Sequence, residues 1–247
     1  MSALISIDAV SLRLQGHVIL DELSLRLDAG EVVALLGPSG AGKSTILRLL
    51  LGFIAPDGGA VRLGDRVVSS AHRIHIVPEE RNLAVIFQDL ALWPHLSVEG
   101  NLSFGLRAKG VPKEEIVRRS ERVLECLGLG ALKKRRPGEL SGGEQQRVAI
   151  ARALVLEPDA ILLDEPLSSL DIGLRDDLLD VFRELFRETH TTALYVTHDP
   201  HEAEQIADRI VILDSGRAVF SGAWSELPPD HESAFVQRLV KATGRDI

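Results

Sequence analysis

The sequence predicts an α/β fold: a core sheet of buried strands, an antiparallel β subdomain beside it, and an inserted α-helical subdomain. Three observations point there. The apolar run Val32–Leu36 passes through a glycine-rich turn at 37–42 into a helical pattern at 45–51. Further apolar runs at 83–87, 160–163 and 192–197 give way to polar side chains: Gln88, the pair Asp164 and Glu165, and His198 with Asp199. Between 89 and 158 the spacing of apolar residues turns helical. Short apolar runs bounded by turn signals read as buried strands. A polar residue at the carboxyl end of a parallel strand is placed to enter a site there.

The first elements read as antiparallel strands. Residues 4–10 and 23–27 partly alternate apolar and polar side chains, with turns at 15–16 and 28–30. Residues 57–68 repeat the style through turns at 57–59 and 64–65. Between them lies the spacing G-x-x-x-x-G-K-S: Gly37, Pro38, Ser39, Gly40, Ala41, Gly42, Lys43 and Ser44, followed by Thr45. At a strand-to-helix turn this is a phosphate-binding loop. Gly37, Gly40 and Gly42 let backbone amides approach polyphosphate without a Cβ in the way. The helix N-terminus favours anions. Lys43 is expected to reach the β- and γ-phosphates and Ser44 to take a Mg²⁺ position. Gly52 is the expected helix stop.

Residues 77–81 read as a loop, and the strand 83–87 delivers Gln88. The helical insertion starts at 99–106. A helix is expected over about 111–127, with Pro112 in its first turn and Ile116, Ser120, Val123, Leu124 and Leu127 on one face. Lys133, Lys134, Arg135 and Arg136 read as a solvated basic loop. Leu140-Ser141-Gly142-Gly143-Glu144 opens the next helix, Ser141 and Glu144 forming a capping box. Two glycines in a first turn disfavour a helix. What they offer is bare N–H groups that can meet an anion.

The strand at 160–164 runs out into Asp164 and Glu165. Side chains alternate along a strand, so the two carboxylates are expected to point apart and to hold different roles. Asp164 is placed to hold Mg²⁺ through water, which leaves Glu165 to orient or deprotonate an attacking water. A helix from about 172 to 189 follows. The strand 192–197 then presents His198 at another strand tip, a setting that marks a site residue. His17, His72, His75, His95, His190, His201 and His231 lack that setting and read as surface or structural. Runs at 209–213 and 218–220 flank a hairpin turn. Residues 223–247 read as helical and mostly exposed.

Composition sets outer bounds. With 247 residues, 45% apolar and 26% charged, the chain can bury a real core. A net charge of −8 does not favour a nucleic-acid partner. The single cysteine, Cys126, excludes an internal disulfide framework and fits a reducing compartment. The first residues lead into a strand pattern containing Asp8, so no secretory signal is expected. No apolar run approaches the roughly 18 residues that mark a membrane span. Any link to a membrane is therefore expected to run through another protein.

The phosphate loop at 37–45, Gln88, the element at 140–144, Asp164 with Glu165, the run Ser168-Ser169-Leu170-Asp171 and His198 occur in the order found in ATP-binding cassette (ABC) ATPases. The resemblance covers roughly residues 4–222, and the Leu-Ser-Gly-Gly-Glu element is specific to that family. It implies a single ABC ATPase domain over 1–247. Residues 1–88 and 159–222 would form the nucleotide-binding core with its antiparallel subdomain, 89–158 a helical signature subdomain, and 223–247 a helical tail. It also implies a head-to-tail dimer that sandwiches two ATP molecules. Each would lie between the 37–45 loop of one copy and Ser141, Gly142 and Gly143 of the other. Gln88 would contact Mg²⁺ and the attacking water, His198 the γ-phosphate, and Asp171 would tie the two sites together across the dimer.

A narrower resemblance lies in residues 77–81, 87–98 and 170–175, which look like the ATPase subunits of bacterial importers for sugars, polyamines, iron or inorganic anions. It implies integral membrane permease subunits as partners, a solute-binding protein acting indirectly, and a peripheral place on the cytoplasmic face of the inner membrane. Trp93 and Leu96 are candidates either for a groove that grips a permease helix or for the core. The rivals are an export ATPase of the same family, an ATP-gated clamp in DNA repair or translation, and a binding-only subunit. The compact insert and acidic charge argue against the clamp, and intact Glu165 and His198 against the dead site. Two departures stand out. Many relatives stack adenine on an aromatic residue near the first turn, whereas this chain reads Leu14-Gln15-Gly16-His17. His17 or an aliphatic contact is left to hold the base. The roughly two dozen residues after the last strand are expected to be too few for the C-terminal regulatory β-domain of many importer ATPases.

Overall fold

The computed structural model describes residues 3–168, 170–228 and 230–242. Ser169 and the end of the expected C-terminal helical stretch, 243–247, lie outside them. The chain opens with β1 (Ile5–Leu14) and β2 (His17–Leu27), continues through β3 (Val32–Leu36) and α1 (Lys43–Leu51), and then lays down β4 (Gly58–Leu63), β5 (Arg66–Ser70), β6 (Arg73–Ile74) and β7 (Leu83–Ile86). Three helices follow: α2 (Val98–Ala108), α3 (Lys113–Cys126) and α4 (Gly142–Leu154). The remainder is β8 (Ala160–Asp164), α5 (Ile172–Thr189), β9 (Ala193–Val196), α6 (Pro200–Ile206), β10 (Arg209–Asp214), β11 (Arg217–Gly222) and α7 (Ala234–Ala242).

Two sheets result. The antiparallel one has the order β2-β1-β4-β5-β6. The other has the order β11-β10-β3-β9-β8-β7 and is parallel except for its edge hairpin, β10 with β11. Its apolar runs are continuous because both faces are covered. Alternation decides which residue meets which layer. Val33, Leu35, Ala160, Leu162, Leu194 and Val196 pack on α1 and the antiparallel sheet. Ile161, Leu163, Ala193 and Tyr195 pack on the other side against α5 and the inserted helices. Each leucine or isoleucine fully buried in this way stabilises the fold by about 1.5–3 kcal/mol.

Register aligns the carboxyl ends. Leu35 pairs with Val196, Val196 with Asp164, and Leu163 with Ile86. The order in space is therefore the phosphate loop after β3, His198 after β9, the acids of β8, then Gln88 after β7. No chain-order argument supplies that sequence of neighbours.

Residues 77–81 do more than connect. Pro78–Glu80 form one 3-10 turn that delivers Arg81 into the interior, where it is 1% exposed. Its guanidinium donates to the carbonyls of Leu49 (2.9 Å), Leu50 (2.7 Å), Ile76 (3.0 Å) and Val68 (3.2 Å) and to Ser69 Oγ (2.7 Å). Burial pulls its pKa down to about 10. The charge is balanced by these oxygens and by the negative end of the α1 dipole. Arg81 thus ties the C-terminus of the phosphate-loop helix to β5.

Three local expectations are revised. The helix expected from 111 starts at Lys113, with Pro112 as its N-cap. The basic loop, exposed at Lys134–Arg136 as expected, also caps a helix: the carbonyls of Lys133 and Arg135 accept from the first-turn amides of Glu99 and Val98. Among the described residues of 223–233 there is one 3-10 turn, Trp224–Glu226, and the helix proper is α7. Its inner face is buried: Val236, Leu239 and Val240 pack with Trp224 against Leu36, Ile210 and Ile212.

Candidate functional site

The loop before α1 is shaped by close approach to β2. Gly42 is the N-cap of α1 at φ 106°, and a Cβ there would sit 2.9 Å from Leu20 Cδ2 and 3.2 Å from the Ile19 carbonyl. Only glycine satisfies both the backbone angle and the contact. Among the described residues no side chain caps α1, so its first amides, unpaired within the helix, remain available to an anion. Lys43 folds back over the loop, donating from Nζ to the carbonyls of Gly37 (2.7 Å) and Pro38 (3.2 Å). Burial pushes its pKa down, and the charges of Glu165 and Asp164 push it back up.

Asp164 continues the Ala160 and Leu162 face of β8 toward α1, where it meets the Ser44 hydroxyl. Burial and then the neighbouring Glu165 push its carboxyl pKa up; the Ser44 hydrogen bond, Lys43 and Arg48 hold it down. Glu165 is not part of the strand. Its φ is 46°, in the left-handed region, while its amide still donates to the Val196 carbonyl at 2.9 Å. The two carboxylates diverge because the backbone turns at Glu165, so strand alternation is the wrong reason for an outcome it anticipated. A non-glycine residue held at positive φ marks a constrained position. The result aims Glu165 Oε2 at Nδ1 of His198, 3.2 Å away. The imidazole N–H donates, because a carboxylate only accepts.

The structure therefore assembles Lys43, Ser44, Asp164, Glu165 and His198 at one sheet edge. Gln88 stands two residues beyond β7 on the same edge, with an exposed side chain. The remaining candidates sit elsewhere. Ser141 caps α4: its Oγ accepts from the Glu144 amide at 3.3 Å, and Glu144 Oε2 accepts from the Ser141 amide at 2.7 Å. That capping box leaves the amides of Gly142 and Gly143 out of the cap. Gly143 also has a packing reason, since a Cβ there would fall 2.7 Å from Leu174 Cδ1. Asp171 caps α5, its Oδ1 accepting from the Leu174 amide at 3.1 Å. A Cβ on Gly142 would lie 3.4 Å from Leu170 Cδ2. The corner 141–143 and the segment 170–174 thus form a second, continuous patch.

Two further surfaces bear on the site. Leu14 and Val18, 39% and 50% exposed, flank the tip of the β1–β2 hairpin near Ile19, which packs on Gly42. Past Gln88, the segment to Ser97 is clamped. Trp93 lies 4.5 Å from Phe104, centroid to centroid, with the Arg152 guanidinium 5.1 Å over its ring. Arg152 also donates to the Leu90 and Ala91 carbonyls. Fully buried Asn101 accepts from the Trp93 amide at 2.9 Å and donates to the Trp93, Leu96 and Ser97 carbonyls. Trp93 is half-buried, while Phe104 beside it and Phe87, next to Gln88 in the chain, stay exposed. Sequence reasoning missed Asn101 and Arg152: Arg152 meets carbonyls 61 and 62 residues away in the chain, and Asn101 bonds a non-helical segment just before α2, neither of which leaves a periodic signal.

Among the described residues no helix is long and apolar enough to cross a membrane. The family described as ABC transporter matches residues 20–168. The chain is 44% identical over 234 residues to a putative 2-aminoethylphosphonate import ATP-binding protein, PhnT, of Salmonella typhimurium strain LT2, covering 93% of this chain and 62% of that protein. It is 42% identical over 238 residues to the sn-glycerol-3-phosphate import ATP-binding protein UgpC of Ralstonia nicotianae, covering 96% of this chain and 64% of that one. The chain thus spans about six-tenths of the length of these curated relatives. Among solved structures it superimposes on cbiO1 of Clostridium perfringens, part of the ABC transporter complex cbiONQ. The TM-score is 0.85 and the identity 26%, over 99% of this chain and 97% of that one.

Proposed function

The chain belongs to the ABC transporter family, and on that premise we propose that it is an ATPase that pairs head to tail around two MgATP and drives solute import through a membrane permease. One observation supports this most: the candidate residues fall into two patches on one chain. The phosphate loop, Lys43, Asp164, Glu165 and His198 make a cluster with an unpartnered helix N-terminus. The corner 141–143 and Asp171 make another, whose hydrogen bonds stay local. A triphosphate held by the first patch of one copy and capped by the second patch of its twin uses both.

In this reading Lys43 and the amides of 37–45 hold the β- and γ-phosphates. Ser44 and Asp164, already in contact, fit a hard divalent ion through a hydroxyl and a water, with Gln88 reaching the same ion and the attacking water. Mg²⁺ bound there would neutralise phosphate charge. Glu165 orients the water and accepts its proton as the bond between the γ-phosphorus and the bridging oxygen breaks. His198, oriented by Glu165, contacts the γ-phosphate. Leu14 and Val18 supply an aliphatic platform for the base, with His17 beside it. The import direction is inferred from the relatives' names. The exposed aromatic residues Phe87 and Phe104, with Trp93, are assigned to contact with a helix of the permease, which keeps this subunit on the cytoplasmic face of the membrane. A solute-binding protein would act only through that permease.

Turnover of MgATP by the full chain, compared with Glu165→Gln, tests the reading. The variant should bind ATP, lose nearly all turnover and accumulate as a dimer in size-exclusion chromatography with scattering. Undiminished turnover in the variant would reject Glu165 as the base. A wild-type chain that never pairs at saturating nucleotide would reject the shared site.

A further inference from the structure

Behind His198 lies a polar network that the reading above leaves unused. Arg175, in the first turn of α5, donates from Nη1 to Asp199 Oδ2 at 2.9 Å and from Nη2 to the Leu170 carbonyl at 3.2 Å. Its Nε lies 3.6 Å from Oε1 of Glu202, which is 3% exposed. The other oxygen of Glu202 accepts from the Tyr195 hydroxyl at 3.1 Å and the Thr197 hydroxyl at 2.7 Å. Thr197 Oγ1 in turn accepts from the Asp199 amide at 3.0 Å. The residues on both sides of His198 are therefore pinned, Thr197 at 2% exposure, while the imidazole between them is 61% exposed.

The same guanidinium reaches the second patch. The Leu170 carbonyl it holds directly precedes Asp171, and the Leu170 side chain lies beside Gly142. A guanidinium is a rigid planar fork whose five N–H donors cannot rearrange independently. A fork bonded at once to a carboxylate on one loop and a carbonyl on another makes the two move together. An ammonium is a point donor on a flexible stem and cannot enforce that geometry.

We propose that Arg175 is a positioning residue that couples the segment 170–171, and hence contact with a second copy of this chain, to the placement of His198. The proposal rests on the ATPase reading above and deepens it. When a twin presses on Asp171, the shift passes through Leu170 and the guanidinium to Asp199 and Glu202, and so to the backbone on either side of His198. His198, exposed as it is, has Glu165 and its own backbone to place it.

The test is Arg175→Lys in the full chain, with Arg175→Gln beside it, read as turnover, affinity of the single copy for an ATP analogue, and melting temperature. Positioning predicts that kcat falls about tenfold or more, as small misplacements do, while affinity for the analogue stays within about twofold and the melting temperature of the lysine variant is unchanged. It also predicts that combining Arg175→Lys with Asp171→Ala slows turnover no further than the worse single change, because the two act on one path. Losses that multiply in the double variant overturn the proposal. So does full turnover in the lysine variant, or a fall in kcat matched by equal losses of affinity and melting temperature. Wild-type turnover, measured in parallel, tests the ATPase reading separately: active wild type with equally active Arg175→Lys overturns the coupling alone.

Discussion

Nδ1 of His198 lies 3.2 Å from Oε2 of Glu165, and the contact joins the tips of two adjacent strands. It exists because Asp164 pairs with Val196 in the sheet and because the backbone of Glu165 turns into the left-handed region just past that pair. The carboxylate holds the ring, and the ring is otherwise exposed. His198→Ala is therefore expected to lower turnover by about 10²-fold. Stability should move by no more than about 0.5 kcal/mol, as for an exposed substitution. Steady-state hydrolysis and urea unfolding measure the two; retained turnover would remove His198 from the reaction.

Ser141→Arg places a long cation at the corner beside Gly142. It removes a helix cap worth about 1 kcal/mol and blocks approach of a triphosphate from a facing copy. The expected outcome is normal nucleotide affinity in the single copy with no nucleotide-dependent pairing, read by fluorescent-analogue titration and light scattering. Pairing that survives would move the shared site away from 141–143.

Arg81→Met keeps the side chain's bulk and removes five hydrogen bonds to buried oxygens. The Leu49 and Val68 carbonyls keep backbone amide partners, but losing the bonds to Leu50, Ile76 and Ser69 is expected to cost about 3–5 kcal/mol. A change under about 1 kcal/mol in equilibrium unfolding would mean that water reaches those carbonyls.

Leu14→Trp offers an aromatic face where Leu14 and Val18 now offer an aliphatic one. Aromatic stacking adds about 1 kcal/mol, so ATP should bind roughly fivefold tighter, with a smaller gain for a nucleotide lacking a purine. Calorimetric titration of both nucleotides decides it: equal affinities before and after would place the base elsewhere.

Glu202 sets a pH dependence of stability. Burial pushes its carboxyl pKa up; the Thr197 and Tyr195 hydrogen bonds and Arg175 hold it down, and Asp199 adds to the rise. The folded chain thus keeps this proton to higher pH than the unfolded chain does. Its contribution is fully present below the ordinary glutamate value of 4.5 and is lost as pH rises through the elevated folded value. Relative to Glu202→Gln, which lacks this titration, the wild type should gain melting temperature as pH is lowered through that window. A difference that stays flat or runs the other way would contradict the assignment.

Much of the site was legible because its signals are local. The spacing of Gly37, Gly42, Lys43 and Ser44 encodes a loop and a helix start within a few residues, and Ser141 with Glu144 encodes a cap three residues long. Apolar runs ending at Gln88, Asp164 and His198 mark strand tips whatever their neighbours are. The 223–233 stretch shows the limit. Its composition suits a helix, yet its described residues hold a 3-10 turn, and Trp224 and α7 pack onto β3 and β10.

The sequence by itself thus determined the kinds of element, the phosphate loop and the acids, because each depends on interactions among near neighbours in the chain. Tertiary structure decided the order of the strand tips, the left-handed turn that aims Glu165 at His198, the reach of Arg81 to Leu49 and Leu50, and the fork of Arg175 between Leu170 and Asp199. Those depend on sheet register and on contacts between elements that meet only when both faces of the sheet are covered, and no spacing along the chain records them.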